Sequence, residues 1–384
     1  MRSASVSPDR SDLLIVGGGV AGLTLACFAR RFHPNLRIEV IEPRDVPSGR
    51  ILVSGNGRCN IYNAQLYEDR LPDDPIFDRL RSLLDADLGR RALDFFIDTF
   101  KVPLYRQGDL FYPFSNRADT IHRAMLERAE QLGVRIVKGR FERLDWAGGG
   151  IFLEGEEKPI RARDIAFGLG GWCLNYQPYN LMDELREHGV KIIPFTPALG
   201  PLPIEENISR LEGYRVRGNL SLLRRGKTIY SEDGEVLSRR REISGICAFN
   251  CSIRVEPDRL KEYQLRLDAT RHDDQGVDLS RVGLTQAFPR PFAEYIYAEA
   301  GRLRKDPVQL AGDLRFNVAG LPTFKQAQVS RGGISLENLN PETLQLRAKP
   351  VYRFLGEMLD VPLPCGGFNL GACLIEALKV AESL

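Results

Sequence analysis

At 384 residues and 43.2 kDa, 43% hydrophobic and 27% charged, the chain has the composition of an ordinary globular protein, long enough for roughly two or three domains. A formal net charge of +2 gives no electrostatic case for nucleic acid or an anionic membrane as a partner. Seven cysteines, odd in number and scattered without a CxxC pair, argue against a disulfide framework and for a reducing, cytoplasmic compartment.

The first ten residues read as a frayed tail. Leu13 to Phe28 is uncharged, but Asp9 and Asp12 precede it and four glycines interrupt it, which is the wrong wording for a signal peptide. No apolar run is long enough to span a membrane. The segment makes sense instead as a nucleotide-binding unit. Leu13 to Val16 predicts a strand buried on both faces. Gly17-x-Gly19-x-x-Gly22 follows, then a helix from Ala21 to about Arg31, then a second strand through Ile38, Val40 and Ile41 ending at Glu42. Each glycine has a job: Gly17 allows the tight turn, Gly19 lets a pyrophosphate reach the backbone, and Gly22 packs the helix on the strand. The helix N-terminus offers unpaired N–H groups to phosphates, and Glu42 can accept hydrogen bonds from ribose hydroxyls.

Next comes "GRILVSGNGRCNIYN", residues 49–63. The glycines of Ser54-Gly55-Asn56-Gly57-Arg58-Cys59-Asn60 permit close approach of backbone to a ligand. Arg58 can neutralise a phosphate, and Asn56 and Asn60 can hold either the turn or the ligand. Cys59 has no cysteine within five residues, so a dithiol within the loop is excluded. It reads first as a small apolar residue packed against the ligand, and second as a redox-active thiol, with Cys365 a distant potential partner.

An amphipathic helix should end at Gly133, and "VRIVKGRFERLDWAGGGIFLEG" predicts an antiparallel meander turning at Gly148 to Gly150. In "DIAFGLGG" another apolar strand runs into Gly168 and Gly170. A proline-rich exit begins near Lys191; the following strands, with turn signals at Arg225-Gly226 and Asp233-Gly234, suggest a small barrel or sandwich. Glu256 to about Leu314 is charged and helix-prone, broken at Pro289, Pro291 and Pro307. The end of the chain, "LGEMLDVPLPCGGFNLGACLIEALKVA", places acids at Glu357 and Asp360 before Gly366-Gly367 and a final helix. Glycine-rich strand ends spread over the whole chain can converge at the carboxyl edge of one sheet, which is the layout of an FAD protein gripped by both ends of its chain.

"IVGGGVAGL", "GRILVSGNGRCNIYN", "FGLGG", "QVSRGGI" and "LGEMLDV…CGGFNLGACLIEA", in this order, resemble the YhiN-like family of bacterial flavoproteins, which includes aminoacetone-oxidase-like and BaiN-like members. The resemblance implies an α/β fold of the glutathione-reductase type: a discontinuous Rossmann-type FAD domain at about 11–190 and 321–384, interrupted by a β-rich, barrel-like domain at 191–255 and a small helical piece at 256–320. It implies non-covalent FAD at Gly17, Gly19, Gly22 and Glu42, ribityl contact by Glu357, and cover of the flavin's pyrimidine edge by Gly366, Gly367, Phe368 and Asn369. Arg50, Ser54, Gly55, Arg58, Cys59, Gly168 and Gly170 complete the expected cofactor set. The chain departs from the family pattern after FGLGG, at "LSRRREISG" and in the last helix, all places where substrate rather than cofactor would be met.

The expected activity is that of an FAD-dependent oxidoreductase passing a hydride between flavin N5 and a small organic substrate. No second Gly-x-Gly-x-x-Gly is present, so NAD(P)H, if it is the reductant, must visit the open flavin face. Arg58, Cys59, Asp360 and Asn369 are the residues expected near that face, Asp360 as proton-transferring group; Arg331 could anchor a carboxylate or carbonyl substrate or bind an FAD phosphate. The alternative is a structural flavin or an RNA-modifying role with Arg239 to Arg241 as contact. Glu235 and Glu242 flank those arginines, which favours a solvated turn. His33, His122, His188 and His272 lie outside every motif, no metal-ligand spacing occurs, and Cys247 and Cys251 read as core.

Overall fold

The computed structural model describes residues 11–85, 87–173, 180–271 and 282–384. His272 and the expected N-terminal tail lie outside them. By its contacts the chain divides into two compact units, one formed by residues up to 172, 176–195 and 331–384, the other by 173–175 and 196–330.

The first unit is built on strands β1 (Ser11–Val16), β2 (Ile38–Glu42), β3 (Tyr62–Asn63), β4 (Leu104–Gln107), β5 (Leu110–Pro113), β6 (Arg135–Lys138), β7 (Phe141–Asp145), β8 (Gly150–Leu153) and β9 (Ile160–Phe167). Between β1 and β2 runs helix α1 (Val20–Phe32), whose residues Ala21 to Ala29 are all buried. β1 is flanked by β2 and β9, parallel to both, with Leu13 opposite Ile38 on one side and Asp164 on the other. Leu13, Leu14 and Ile15 are fully buried, as in a strand covered on both faces. The meander runs β7–β8–β9 with its turn at Gly149, which has φ +68°. β3, β5 and β4 form a separate three-stranded sheet.

The chain leaves this unit along β10 (Ile192–Ala198). The second unit is a six-stranded antiparallel sheet of β11 (Leu202–Pro203), β12 (Arg215–Arg224), β13 (Lys227–Arg239), β14 (Glu242–Ser244), β15 (Tyr263–Asp268) and β16 (Leu314–Asn317). A bridge between Ile204 and Val318 links the two edges, so the sheet curls toward a barrel. Its core takes in Cys247 and Cys251, both buried on the short helix Ile246–Ser252. The sheet draws strands from both the segment expected to be β-rich (191–255) and the segment expected to be helical (256–320). Arg225-Gly226 turns between β12 and β13 as expected, both residues having positive φ. Asp233-Gly234 does not turn: β13 runs straight through, pairing Asp233 with Asn219 and Gly234 with Gly218. Glycine is needed at 234 because a Cβ there would lie 2.4 Å from the Cys247 sulfur.

The chain returns through β17 (Val329–Ile334), which pairs with β10, then β18 (Gln345–Leu346) and β19 (Lys349–Phe354). β19 joins the first unit's sheet parallel to β9, giving the order β18-β19-β9-β1-β2-β6. The closing helix, Phe368–Glu382, packs on α1 and on the helix Leu88–Phe100. The discontinuous α/β Rossmann-type fold with a β-rich insertion is thus the architecture of the chain.

Candidate functional site

β1, β9 and β19 are neighbours in one parallel sheet, so the glycine-rich segments that follow them emerge side by side at its carboxyl edge. Gly168 N–H donates to the Val16 carbonyl at 2.9 Å, and Leu355 N–H to Phe167 at 3.0 Å. Three distant parts of the sequence meet here, as the motif spacing predicted.

The fingerprint glycines separate by cause. Gly17 has φ +112°, and a Cβ there would lie 2.5 Å from the Gly168 carbonyl oxygen. A Cβ on Gly22 would lie 2.0 Å from the Gly17 oxygen. The chain itself therefore requires both. Gly19, the residue before α1, has φ −73° and a Cβ there would meet nothing closer than 3.7 Å. Neither strain nor packing explains glycine at 19; a ligand lying against the helix N-terminus does, so the turn fits a pyrophosphate. Glu42 is buried beneath the turn, Oε2 accepting from Gly18 N–H at 2.8 Å and Oε1 from Arg44 N–H and Nε at 3.0 and 2.8 Å. Its first task is to hold the loop that the ligand would rest on, and lone pairs remain for ribose hydroxyls.

Arg50, Gly170 and Glu357, from three segments, come together. Arg50 Nη2 lies 3.7 Å from Glu357 Oε2, and a Cβ on Gly170 (φ +78°) would sit 3.3 Å from Arg50 Nη1. Both side chains keep open faces. The Leu169 N–H donates to the Met358 sulfur at 3.2 Å, tying this edge to the turn that carries Glu357.

The SGNGRCN loop closes a short 3-10 segment, Gly49–Gly57, and is left-handed at Gly55 (φ 54°), Asn56 (φ 55°) and Gly57 (φ 82°). Ser54 Oγ donates to the Ile51 carbonyl at 2.6 Å, and Cys59 N–H to the Ser54 carbonyl at 3.1 Å. Cys59 is fully buried and its thiol is pushed up to about 11 by that burial, so at neutral pH it is a neutral packing group. It forms no disulfide among the described residues. Arg58 turns away from the loop: it lies over the Tyr112 ring at 4.2 Å and donates to Asn116 Oδ1, Tyr105 Oη and Gln107 Oε1 at 2.6, 3.1 and 3.1 Å. Where it was expected to neutralise a phosphate, it fastens the loop to the β4–β5 hairpin.

The C-terminal loop is held by Asn60, which the sequence singled out, and by Asn63, which it did not. Asn63 Nδ2 donates to the Gly366 carbonyl at 2.7 Å, while its Oδ1 accepts from Gln65 N–H. With its amide oriented to suit its neighbours, Asn60 accepts from Gly367 N–H at 3.1 Å. Gly367 (φ +84°) lies so close to β3 that a Cβ would be 2.6 Å from the Tyr62 carbonyl oxygen. Phe368 packs edge-on to Phe77, ring centres 5.0 Å apart. The closing helix begins at Phe368 rather than at Asn369, and the Asn369 amide is occupied in its own loop. Its Nδ2 donates to the Leu363 and Pro364 carbonyls at 2.8 and 3.2 Å, and its Oδ1 accepts from Leu363 N–H at 3.2 Å. Asp360 is buried and accepts from Gly332 N–H and from Arg79 Nη1, both at 3.2 Å. Burial raises its pKa, with Arg79, the Gly332 N–H and Arg331 pulling against the rise. It borders an open cleft of about 350 Å³ that also touches Arg79, Ser82, Lys191 and Ser335.

The family described as "HI0933-like protein Rossmann domain" matches residues 11–383. The chain is 27% identical to the 3-dehydro-bile acid delta(4,6)-reductase of Clostridium scindens, over 93% of this chain and 94% of that one. It is 22% identical to the ribosomal RNA dihydrouridine synthase of Escherichia coli, with 98% of each covered. Among solved structures it is similar in fold to an open-form flavocytochrome c3 fumarate reductase (TM-score 0.51, 13% identity, 98% of this chain and 78% of that one). The 3-ketosteroid delta1-dehydrogenase of Sterolibacterium denitrificans is similar to the same degree (TM-score 0.51, 11% identity, 98% and 99% covered). At these identities the structural likeness speaks of the fold alone. No helix among the described residues is long and apolar enough to cross a membrane.

Proposed function

The chain belongs to the HI0933-like family, and from that premise we propose that it is an FAD-dependent oxidoreductase, of the YhiN-like kind, that saturates a polarised carbon–carbon double bond in an organic substrate. The observation that carries the cofactor is Gly19, the fingerprint glycine for which the chain's own packing supplies no reason, at the edge where three glycine-ended strands converge. Bound FAD would supply a hydride at N5. The α1 N-terminus and Gly17 to Gly22 would hold the pyrophosphate, with Arg50 and Gly170 beside it. Glu42 would meet the ribose and Glu357 the ribityl chain. Ser54 and Gly55 offer exposed or half-buried backbone to the ring system, and Gly366 to Phe368 line its other edge. Cys59, Asp360 and Asn369 are braces in this reading: each is buried or hydrogen-bonded within the loops that the cofactor would touch.

Both curated relatives are named for adding hydrogen across a ring double bond, one in a 3-dehydro bile acid and one in a uridine of ribosomal RNA. The shared chemistry is an unsaturated carbon conjugated to a carbonyl, reduced by one hydride and one proton. A free small molecule rather than RNA is supported by the turn at Arg239 to Arg241. Arg239 lies 3.6 Å from Glu242, so one of these three cations is paired with an acid on the same turn. The test is anaerobic: the purified protein, loaded with FAD, is reduced with NADH or NADPH and mixed with cyclic enones or with a ribosomal RNA transcript. Return of the oxidised spectrum with an enone supports the reading. Return with RNA alone replaces the substrate, and failure to bind FAD at all overturns the whole reading.

A further inference from the structure

One acid of the closing helix is buried among apolar side chains. In the closing helix, Leu374, Ile375, Ala377 and Leu378 are at most 1% exposed, and Glu376 among them is equally buried. Its polar partner is the Gly356 N–H, which donates to Glu376 Oε2 at 2.5 Å. Gly356 opens the 3-10 turn Gly356–Met358, so its N–H has no partner within the turn. That turn displays Glu357 toward Arg50, and Met358 toward the Leu169 N–H. It is also pressed on α1: a Cβ at Gly356 (φ +74°) would lie 3.1 Å from the Ala21 Cβ.

Among the described residues, burial and the Gly356 N–H are what set the charge state of Glu376. Lys379, on the same helix, lies 3.5 Å from Glu342. Cys373 is a half-buried thiol whose pKa is raised by desolvation first, then by Glu376 and Glu357. From the helix Leu88–Phe100, Asp94 acts on Tyr62 of β3, and α1 presents Ala21. Arg50 lies 3.7 Å from Glu357 and pulls against the rise at Cys373. Desolvation therefore dominates and pushes Glu376 up to about 8, against the single restoring hydrogen bond from Gly356.

Resting on the proposed cofactor, we propose that Glu376 is a positioning residue for the cofactor turn. As a neutral acid it seats Gly356 and so Glu357; on ionising it draws water between helix and turn and weakens the grip on FAD. The sign follows from linkage. The folded chain holds this proton more tightly than the unfolded one, so the stabilisation is whole below the ordinary carboxylate range. It is lost progressively as pH rises toward about 8.

The experiment compares the full-length protein with Glu376→Gln, which keeps the acceptor without the charge, and Glu376→Leu, which removes the acceptor. FAD dissociation constants are measured by flavin fluorescence from pH 6 to pH 9, and melting temperatures of the cofactor-free proteins over the same range. The wild type should weaken by roughly fivefold or more above pH 8, while Gln holds a flat profile and Leu binds poorly at every pH. Cofactor-free wild type should melt lower at pH 9 than at pH 6, and Gln should not. Parallel wild-type and Gln profiles, or a Leu variant that binds like wild type, overturn the proposal. If no variant binds FAD while the melting profiles differ as stated, the cofactor reading fails and the titration of the turn stands.

Discussion

Substituting Gly19 and Gly22 with the same residue should give opposite failures. A Cβ at Gly19 meets its nearest neighbour, the Gly168 oxygen, at 3.7 Å, an ordinary contact, and φ there is −73°. Gly19→Val should therefore leave the cofactor-free fold within about 1 kcal/mol of wild type, the difference being the poor N-capping of a β-branched residue. Its methyl groups would stand where the pyrophosphate lies, and FAD affinity should fall by about a hundredfold or more, near 3 kcal/mol. Gly22→Val is the converse. Its Cβ would be 2.0 Å from the Gly17 oxygen and 3.1 Å from the Ile15 side chain, so β1 and α1 must separate. Overpacking of that kind costs roughly 1–3 kcal/mol or more, and the cofactor-free protein should itself melt early. Thermal melts by circular dichroism, paired with FAD titration, resolve the two. A Gly19→Val protein that binds FAD as wild type does, or one that melts as early as Gly22→Val, refutes the assignment of Gly19 to a ligand.

Cys59→Ser should retain FAD and change kcat by less than about tenfold, because the thiol is buried and neutral; a loss near a thousandfold with FAD retained, about 4 kcal/mol, would make the sulfur a reactant. Gly367→Asp cannot act simply as a charge beside the flavin: with φ +84° and the Tyr62 carbonyl 2.6 Å from a new Cβ, it should lower the melting temperature and FAD occupancy together. A well-folded Gly367→Asp protein with full FAD would show that the loop can shift off β3.

Much of the fold was legible because its signals are local and periodic. The all-apolar β1, the glycine spacing and the acid at the end of β2 each follow from what a buried parallel strand and a tight turn require. Helix ends fell within a residue or so of expectation, as at α1 and the closing helix. The insertion was harder. Asp233-Gly234 imitates a turn, but the reason for its glycine is the Cys247 sulfur, a contact that no local pattern records. Tyr263 to Asp268 alternates buried and half-buried residues as a strand should, yet it stands in a charged stretch punctuated by prolines that reads as helix.

In the candidate site, position was legible and orientation was not. Gly17, Gly22 and Gly168 meet at one sheet edge because their segments follow adjacent strands, and Arg50, Gly170 and Glu357 come together beside one another. Which way each side chain points depends on partners far away in sequence. Arg58 is claimed by Asn116 and the β4–β5 hairpin, Asp360 by Arg79 and Gly332, and Asn369 by the prolyl turn before it. Glu376 was not singled out in the sequence, and its partner Gly356 appears only in three dimensions. The common feature is that polar side chains, Glu42, Arg58, Asn63 and Asn369 among them, hold the glycine-rich loops in place. Loops so supported can keep left-handed and closely packed conformations that would otherwise cost about 1–3 kcal/mol per strained residue. In the proposed function, the hydride chemistry would fall to the cofactor and substrate choice to segments outside these motifs.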